Sequence, residues 1–245
     1  MLRYPASGQP RARLVCFPHA GAGASTFSGW DALLPDSVEL VAVQLPGRET
    51  RIREPAPDDL VALLEDLAVA LDFGDRVPST LFGHSWGGIL AFELSRRFNA
   101  TGTPPAGLIV SGTRAPHFIS PLPVLSHLPR DELLAGLGRL NGIHPEILAH
   151  DDYLDVVIPT FRSDLRMVER YRLVPGAALP CPITVFGGEE DPMTSPATLD
   201  EWRRYTTAEF RRQMFPGDHF FFVSERVRVV AAVAAMLAPS EVPVD

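Results

Sequence analysis

The sequence contains no lysine, so all 22 of its Lys/Arg residues are arginines. Cysteine is almost as scarce. Cys16 and Cys181 are the only two, and neither stands at a metal-ligand spacing, so the expectation is two reduced, buried thiols rather than a disulfide or a cysteine-based metal centre. Long apolar runs are missing too. The run near the end, Val229–Ala238, falls far short of the ~20 residues a membrane helix needs, and the first ten residues hold no apolar core of signal-peptide length. These absences predict a cytoplasmic location. The formal charge of −8 argues against nonspecific nucleic-acid binding. There is no internal repeat, low-complexity tract or interdomain linker.

What is present reads as an ordinary globular chain of 245 residues, 46% apolar and 21% charged. Short strands are expected over Leu14–Phe17, Glu39–Val43, the segment opening at Ser79, Gly107–Ser111, Ile183–Phe186 and Glu209–Phe215. Helical patterns fall between them. One is capped by Ser25 and runs through Phe27 and Trp30, and one starts at Asp58 with leucines at helical spacing. Others follow Ser85, run through Leu199 and Trp202, and extend from about Phe221 to Leu237. Alternation of this kind implies right-handed crossovers and a mainly parallel, doubly wound α/β sheet. From Pro116 to about Leu173 the alternation stops. Helical patterns begin near Pro129–Glu132 and from Asp152, the latter interrupted by Pro159 and resuming with Phe161, Leu165 and Val168 on one face. This stretch, about 116–173, is expected to be a helical lid inserted in a single domain spanning 1–245, over the sheet edge where open α/β sheets bind ligands.

The stretch around which the chain is organised is Ser79–Phe92. It reads as strand, Gly83-His84-Ser85-Trp86-Gly87 turn, and helix. Small flanking residues let such a corner project its serine out of the sheet, and the helix N-terminus behind it favours developing negative charge. A serine hydroxyl needs a base. Among seven histidines, His219 is selected because it lies in a turn directly after a strand; His117, His127, His144 and His150 fall in the lid and are read as surface or pocket-wall residues, and His84 is expected to point away from the serine. The imidazole in turn needs an acid to fix its tautomer. The strand ending at Phe186 offers Glu189, Glu190 and Asp191, and Asp191 is chosen because Pro192 pins its turn; Asp218 is the rival. Two oxyanion donors are assigned, the amides of Trp86 and Ala20. Phe161, Leu165, Met167 and Val168 are candidates to line an acyl channel. The loop Gly21-Ala22-Gly23 satisfies only part of a dinucleotide fingerprint: Thr26 replaces its third glycine and no ribose-binding acid follows the next strand. No cofactor or metal is therefore expected.

The order Ser, Asp, His matches the α/β-hydrolase arrangement. Five motifs in this order resemble those of type II thioesterases, the editing hydrolases of modular polyketide and nonribosomal peptide synthases. They are Phe17-Pro18-His19-Ala20-Gly21-Ala22-Gly23, Gln44-Leu45-Pro46-Gly47-Arg48, Gly83-His84-Ser85-Trp86-Gly87-Gly88, Gly187-Gly188-Glu189-Glu190-Asp191-Pro192 and Phe215-Pro216-Gly217-Asp218-His219-Phe220. The resemblance covers nearly the whole chain. It implies hydrolysis of acyl thioesters on the phosphopantetheine arm of acyl or peptidyl carrier domains, with Ser85, Asp191 and His219 as triad. Trp86 departs from the methionine or leucine common in that family, so acyl length is not carried over. For docking an acidic carrier, Arg162, Arg166, Arg170 and Arg172, or Arg203, Arg204, Arg211 and Arg212, are candidates. Two other readings stay open: a small-molecule carboxylesterase or lipase with the same triad, and a noncatalytic carrier-binding protein.

Overall fold

The computed structural model describes residues 1–118, 124–139 and 150–237. Seven strands form one sheet: β1 (Leu2–Tyr4), β2 (Ala12–Phe17), β3 (Val38–Ala42), β4 (Ser79–His84), β5 (Gly107–Ser111), β6 (Ile183–Gly188) and β7 (Phe210–Phe215). Their order is β1-β3-β2-β4-β5-β6-β7, parallel throughout except for β1, which pairs antiparallel with β3. The six parallel strands match the sequence reading to within a residue or two. β1 was not anticipated, because three largely exposed edge residues carry no alternation to read.

Successive side chains of a strand point to opposite faces, and the core divides accordingly. Val15, Phe17, Leu81, Val110 and Val185 face α1 (Leu60–Ala70) and α2 (Trp86–Ala100). Leu14, Cys16, Phe82, Ile109 and Phe186 face the C-terminal helices. Because both faces are covered, the central strands are continuous apolar runs rather than alternating ones.

Several helices differ from expectation. After β2 there is no full helix but two short 3₁₀ turns, Ala24–Phe27 and Asp31–Leu33. Gly23, not Ser25, precedes the first, since the Ser25 hydroxyl is drawn to Glu49 Oε1 at 2.6 Å. α1 starts at Leu60, two residues later than the expected Asp58, with Asp59 as its cap accepting from the Val61 and Ala62 amides. The helix through Leu199 is α5 (Pro196–Asp200), which tightens into a 3₁₀ turn over Glu201–Tyr205. The last helix is broken at Glu225 into α6 (Phe221–Ser224) and α7 (Arg226–Leu237).

Between β5 and β6 lie α3 (Arg130–Arg139) and α4 (Asp151–Arg170). Pro159 does not interrupt α4. A proline forfeits one main-chain hydrogen bond, but tertiary ties hold the turns of the helix that follow it. Thr160 Oγ1 donates to Gly47 O at 2.7 Å, Ser163 Oγ to Pro57 O at 2.6 Å, and Arg48 reaches Asp164. Further along, Glu169 accepts from the Leu125 and Ser126 amides at 2.7 and 2.9 Å. Leu133, Leu137, Leu154, Ile158, Phe161 and Leu165 form a third, smaller apolar cluster above the sheet. Among the described residues no helix is long and apolar enough to cross a membrane.

Candidate active site

β4 ends at His84 and α2 begins at Trp86, which leaves Ser85 alone at the corner with φ 54° and ψ −120°. A non-glycine residue is rarely held at positive φ, and here the surroundings fix it. The Ser85 amide donates to Ser111 O at 2.8 Å, and its carbonyl accepts from Gly88 N at 2.9 Å and from Thr113 Oγ1 at 2.8 Å. The neighbouring glycines are required by space. A methyl group at Gly83 would overlap the Gly87 carbonyl, and one at Gly87 would overlap the Phe17 carbonyl. Helix and strand therefore approach main chain to main chain, and the serine has only one way to face. As the first residue of α2, Trp86 has an amide with no acceptor within its helix.

His219 follows β7 through the turn Pro216–Asp218. Its Nδ1 lies 2.9 Å from Asp191 Oδ2, and both side chains are buried. A carboxylate only accepts, so Nδ1 carries the proton and Nε2 is left as the basic nitrogen. Asp191 is held in turn by the Met193 amide at 2.8 Å on Oδ1 and the Thr194 hydroxyl at 2.9 Å on Oδ2. The rival Asp218 spends its carboxylate on the Phe220 amide at 2.8 Å, while Glu189 and Glu190 are exposed.

Ser85, His219, Ala20 and Trp86 border a single cavity of about 100 Å³. Phe161, Leu165 and Val168 line it as well. Met167 does not: it is buried in the main core, on the side of α4 turned away from the cavity. The positions 161, 165 and 168 repeat at helical spacing, whereas 167 falls on another face. Trp86 packs in the same main core while contributing to the cavity wall.

Two features were missed in the sequence. His84 does not simply turn away. It lies beneath the site, 4.9 Å from the His219 ring centroid and 4.1 Å from that of Phe222, with Nδ1 2.9 Å from Ser111 Oγ. Burial, reinforced by His219 and His19, drives its pKa well below the ordinary imidazole value, so it is neutral. The second feature is the buried ion pair of Arg48 with Asp164. The Gln44–Arg48 motif was its only trace. Gln44 Nε2 donates to Arg48 O at 2.7 Å, and Asp164 also accepts the Gly21 amide at 2.8 Å.

The glycine-rich loop is accordingly no anion cradle. The Gly21 amide is taken by Asp164, the Ala24 amide by Gln44, and the Ser25 amide by Glu49. Of the remaining histidines, His117 hydrogen-bonds Tyr205 Oη at 2.7 Å, His127 and His150 are exposed, and His144 lies outside the described residues. Among the described residues no group of three or more His, Cys, Asp or Glu is disposed to hold a metal.

The sheet order, the strand-serine-helix corner and the carboxylate-bound histidine at the ends of parallel strands define an α/β hydrolase. The family described as "Thioesterase domain" matches residues 12–237. The chain belongs to that family and is a thioester hydrolase. It is 36% identical over 228 residues to linear gramicidin dehydrogenase LgrE of Brevibacillus parabrevis, covering 91% of this chain and 87% of that protein. The oxidoreductase name belongs to that relative; in the present chain the loop amides are engaged as described. The thioesterase RedJ from the prodiginine pathway of Streptomyces coelicolor superposes with a TM-score of 0.86 at 38% identity, covering 95% of each chain. The type II thioesterase BorB from the borrelidin biosynthetic cluster gives 0.87 at 34% identity, covering 96% of each. The resemblance read from the five motifs is borne out.

Proposed function

We infer that the protein clears acyl groups from the phosphopantetheine arm of acyl or peptidyl carrier domains in a modular synthase, removing stalled or mis-primed intermediates. The observation that carries this reading is the 2.9 Å bond between His219 Nδ1 and Asp191 Oδ2 in a site that opens on the strained Ser85 corner. Two solved relatives, described as the type II thioesterase of the borrelidin cluster and the thioesterase of the prodiginine pathway, support the substrate class.

In the mechanism that follows, His219 Nε2 takes the Ser85 proton as Oγ attacks the thioester carbonyl, while Asp191 stabilises the imidazolium. The Ala20 and Trp86 amides hold the oxyanion, a contribution worth about 10²–10³ in turnover per donor. Collapse expels the pantetheine thiolate, which takes the proton from His219. A water, deprotonated by the same nitrogen, then attacks the acyl-enzyme and releases the carboxylic acid, returning the proton to Ser85. The lid expected over 116–173 is carried by α3 and α4, while its residues 119–123 and 140–149 lie outside the described residues.

For carrier docking the charge pattern favours α4. Arg204, Arg211 and Arg212 are neutralised by Glu201, Glu209 and Asp200 at 2.7, 2.7 and 3.1 Å, and Arg203 lies over the Phe210 ring. Arg162 and Arg172 donate to main-chain carbonyls. Of the eight candidates that leaves Arg166 and Arg170, which form no ion pair among the described residues, for an acidic partner. Two buried free thiols suit a reducing compartment, and we assign the protein to the cytoplasm.

The test compares acyl groups presented on a holo carrier domain with the same acyl groups on a simple aryl ester. A higher kcat/KM for the carrier thioester, lost in Ser85→Ala together with labelling by a serine-directed phosphonate, is the expected result. Preference for the ester would make the protein a carboxylesterase, and carrier binding without acyl-enzyme would make it a noncatalytic binder.

A further inference from the structure

A second cavity of about 380 Å³ is lined by His19, Gly21 and Ala22, the neighbours in sequence of Ala20, which borders the cavity that holds Ser85. The two cavities share one side chain, Phe161. Its ring is buried, and it lies so close to Gly21 that a methyl group on that residue would overlap the ring. Gly21 also has φ 76°, a conformation natural to glycine, so neither the loop nor the ring has room to yield to a larger residue there. On the far side, the second cavity is walled partly by Val156, Val157 and Ile52. An alkyl chain passing the ring would therefore find apolar surface.

We propose that Phe161 is the specificity-determining residue that sets the length of acyl group accepted at Ser85, by closing the acyl cavity against this second one. The proposal rests on the reading of Ser85 as the nucleophile and of its cavity as the acyl site. In the wild-type protein an acyl chain that reaches the ring has no further space to enter. With the ring removed, each added methylene is transferred from water into the second cavity, which raises kcat/KM by at most about fourfold per methylene, the value for full burial. The acyl chain and the leaving thiol are separate substituents of the carbonyl carbon, so an effect of Phe161 on the acyl chain is independent of which thiol carries it.

The experiment measures kcat/KM for wild type, Phe161→Leu and Phe161→Ala across straight-chain acyl groups of increasing length, each presented both on a holo carrier domain and on N-acetylcysteamine. The expected result is a longer optimum in Phe161→Leu and a longer one again in Phe161→Ala, with the same displacement on both thiols. An unchanged length profile in folded variants overturns the proposal. So does a change that depends on the thiol and not on the acyl group, which would make the second cavity part of the thiol's path. If Phe161→Ala does not fold, Phe161→Leu, which keeps an apolar side chain at the position, decides on the same criterion. Absence of hydrolysis by the wild-type protein on every thioester would instead refute the reading of the site itself, a result separate from any change of profile among active variants.

Discussion

The guanidinium of Arg48 meets the carboxylate of Asp164 through two parallel hydrogen bonds, Nη1 to Oδ2 at 2.8 Å and Nη2 to Oδ1 at 3.0 Å, with both side chains removed from solvent. The pair joins α4 to the loop after β3, and Asp164 extends the link to Gly21. Removing one partner strands a buried charge, which costs about 3–5 kcal/mol. Arg48→Met and Asp164→Leu should each lower Tm sharply, while the double variant, which leaves no charge behind, should recover most of the loss. Thermal melts of the three variants check this.

Asp191 fixes which nitrogen of His219 carries the proton. In Asp191→Asn the amide can present its NH₂ to Nδ1 and stabilise the wrong tautomer. Turnover should fall by about 10⁴ if the tautomer argument holds, with KM changed far less, as steady-state kinetics on one acyl-carrier substrate would reveal.

Gly87 stands where the start of α2 crosses the end of β2. A methyl group there collides with the Phe17 carbonyl, a main-chain atom that cannot rotate away. Overpacking of this kind costs typically about 1–3 kcal/mol, occasionally more. Because the displaced elements carry Ser85 and Ala20, Gly87→Ala should lose activity beyond what its melting temperature accounts for. Activity measured well below Tm separates the two effects.

His84 is neutral in the folded chain because burial, foremost, lowers its pKa. The unfolded chain protonates it near pH 6.5. Above that pH neither state is charged and His84 costs nothing. As pH falls below it the unfolded state binds a proton that the folded state refuses, so stability declines with a slope of up to about 1.4 kcal/mol per pH unit until the lowered folded value is reached. His84→Phe, which suits the aromatic neighbours Phe220, Phe221 and Phe222, removes this proton. Its denaturant-derived stability should therefore decline less between pH 6.5 and 5 than that of the wild type.

Arg166 and Arg170 provide the test of carrier docking. Arg166→Glu with Arg170→Glu should raise KM severalfold for an acyl group on a carrier domain, with the difference shrinking as salt screens the charges. The same variant should hydrolyse the acyl-N-acetylcysteamine thioester as the wild type does.

The parts of the fold that could be read from the sequence are those governed by local rules. The central parallel strands are mainly apolar, and the Ser85 corner, the Asp191 turn and the His219 turn each sit directly after a parallel strand, where chain order and turn residues restrict the choices. What escaped reading depends on contacts far apart in the chain. Ser25 looked like a helix cap until Glu49, 24 residues on, supplied a better partner for its hydroxyl. Pro159 looked like a break because the ties at Thr160, Ser163 and Asp164 leave no local signal. Arg48 and Asp164 lie 116 positions apart, and neither alone suggests burial. Met167 was grouped with Phe161, Leu165 and Val168 by proximity, although its angle around the helix sends it to the opposite side. His84, adjacent to the serine, was assigned by exclusion; its packing against His219 depends on a turn more than a hundred residues downstream.

The two cysteines have a practical consequence. Cys16 has no solvent contact and Cys181 retains 4% exposure, and burial raises the first thiol well above its usual pKa and the second to about 11. Every turnover on a thioester liberates a sulfhydryl, so a chromogenic disulfide reagent can count product continuously while the native catalyst, lacking a reachable thiolate of its own, contributes neither background colour nor loss of signal.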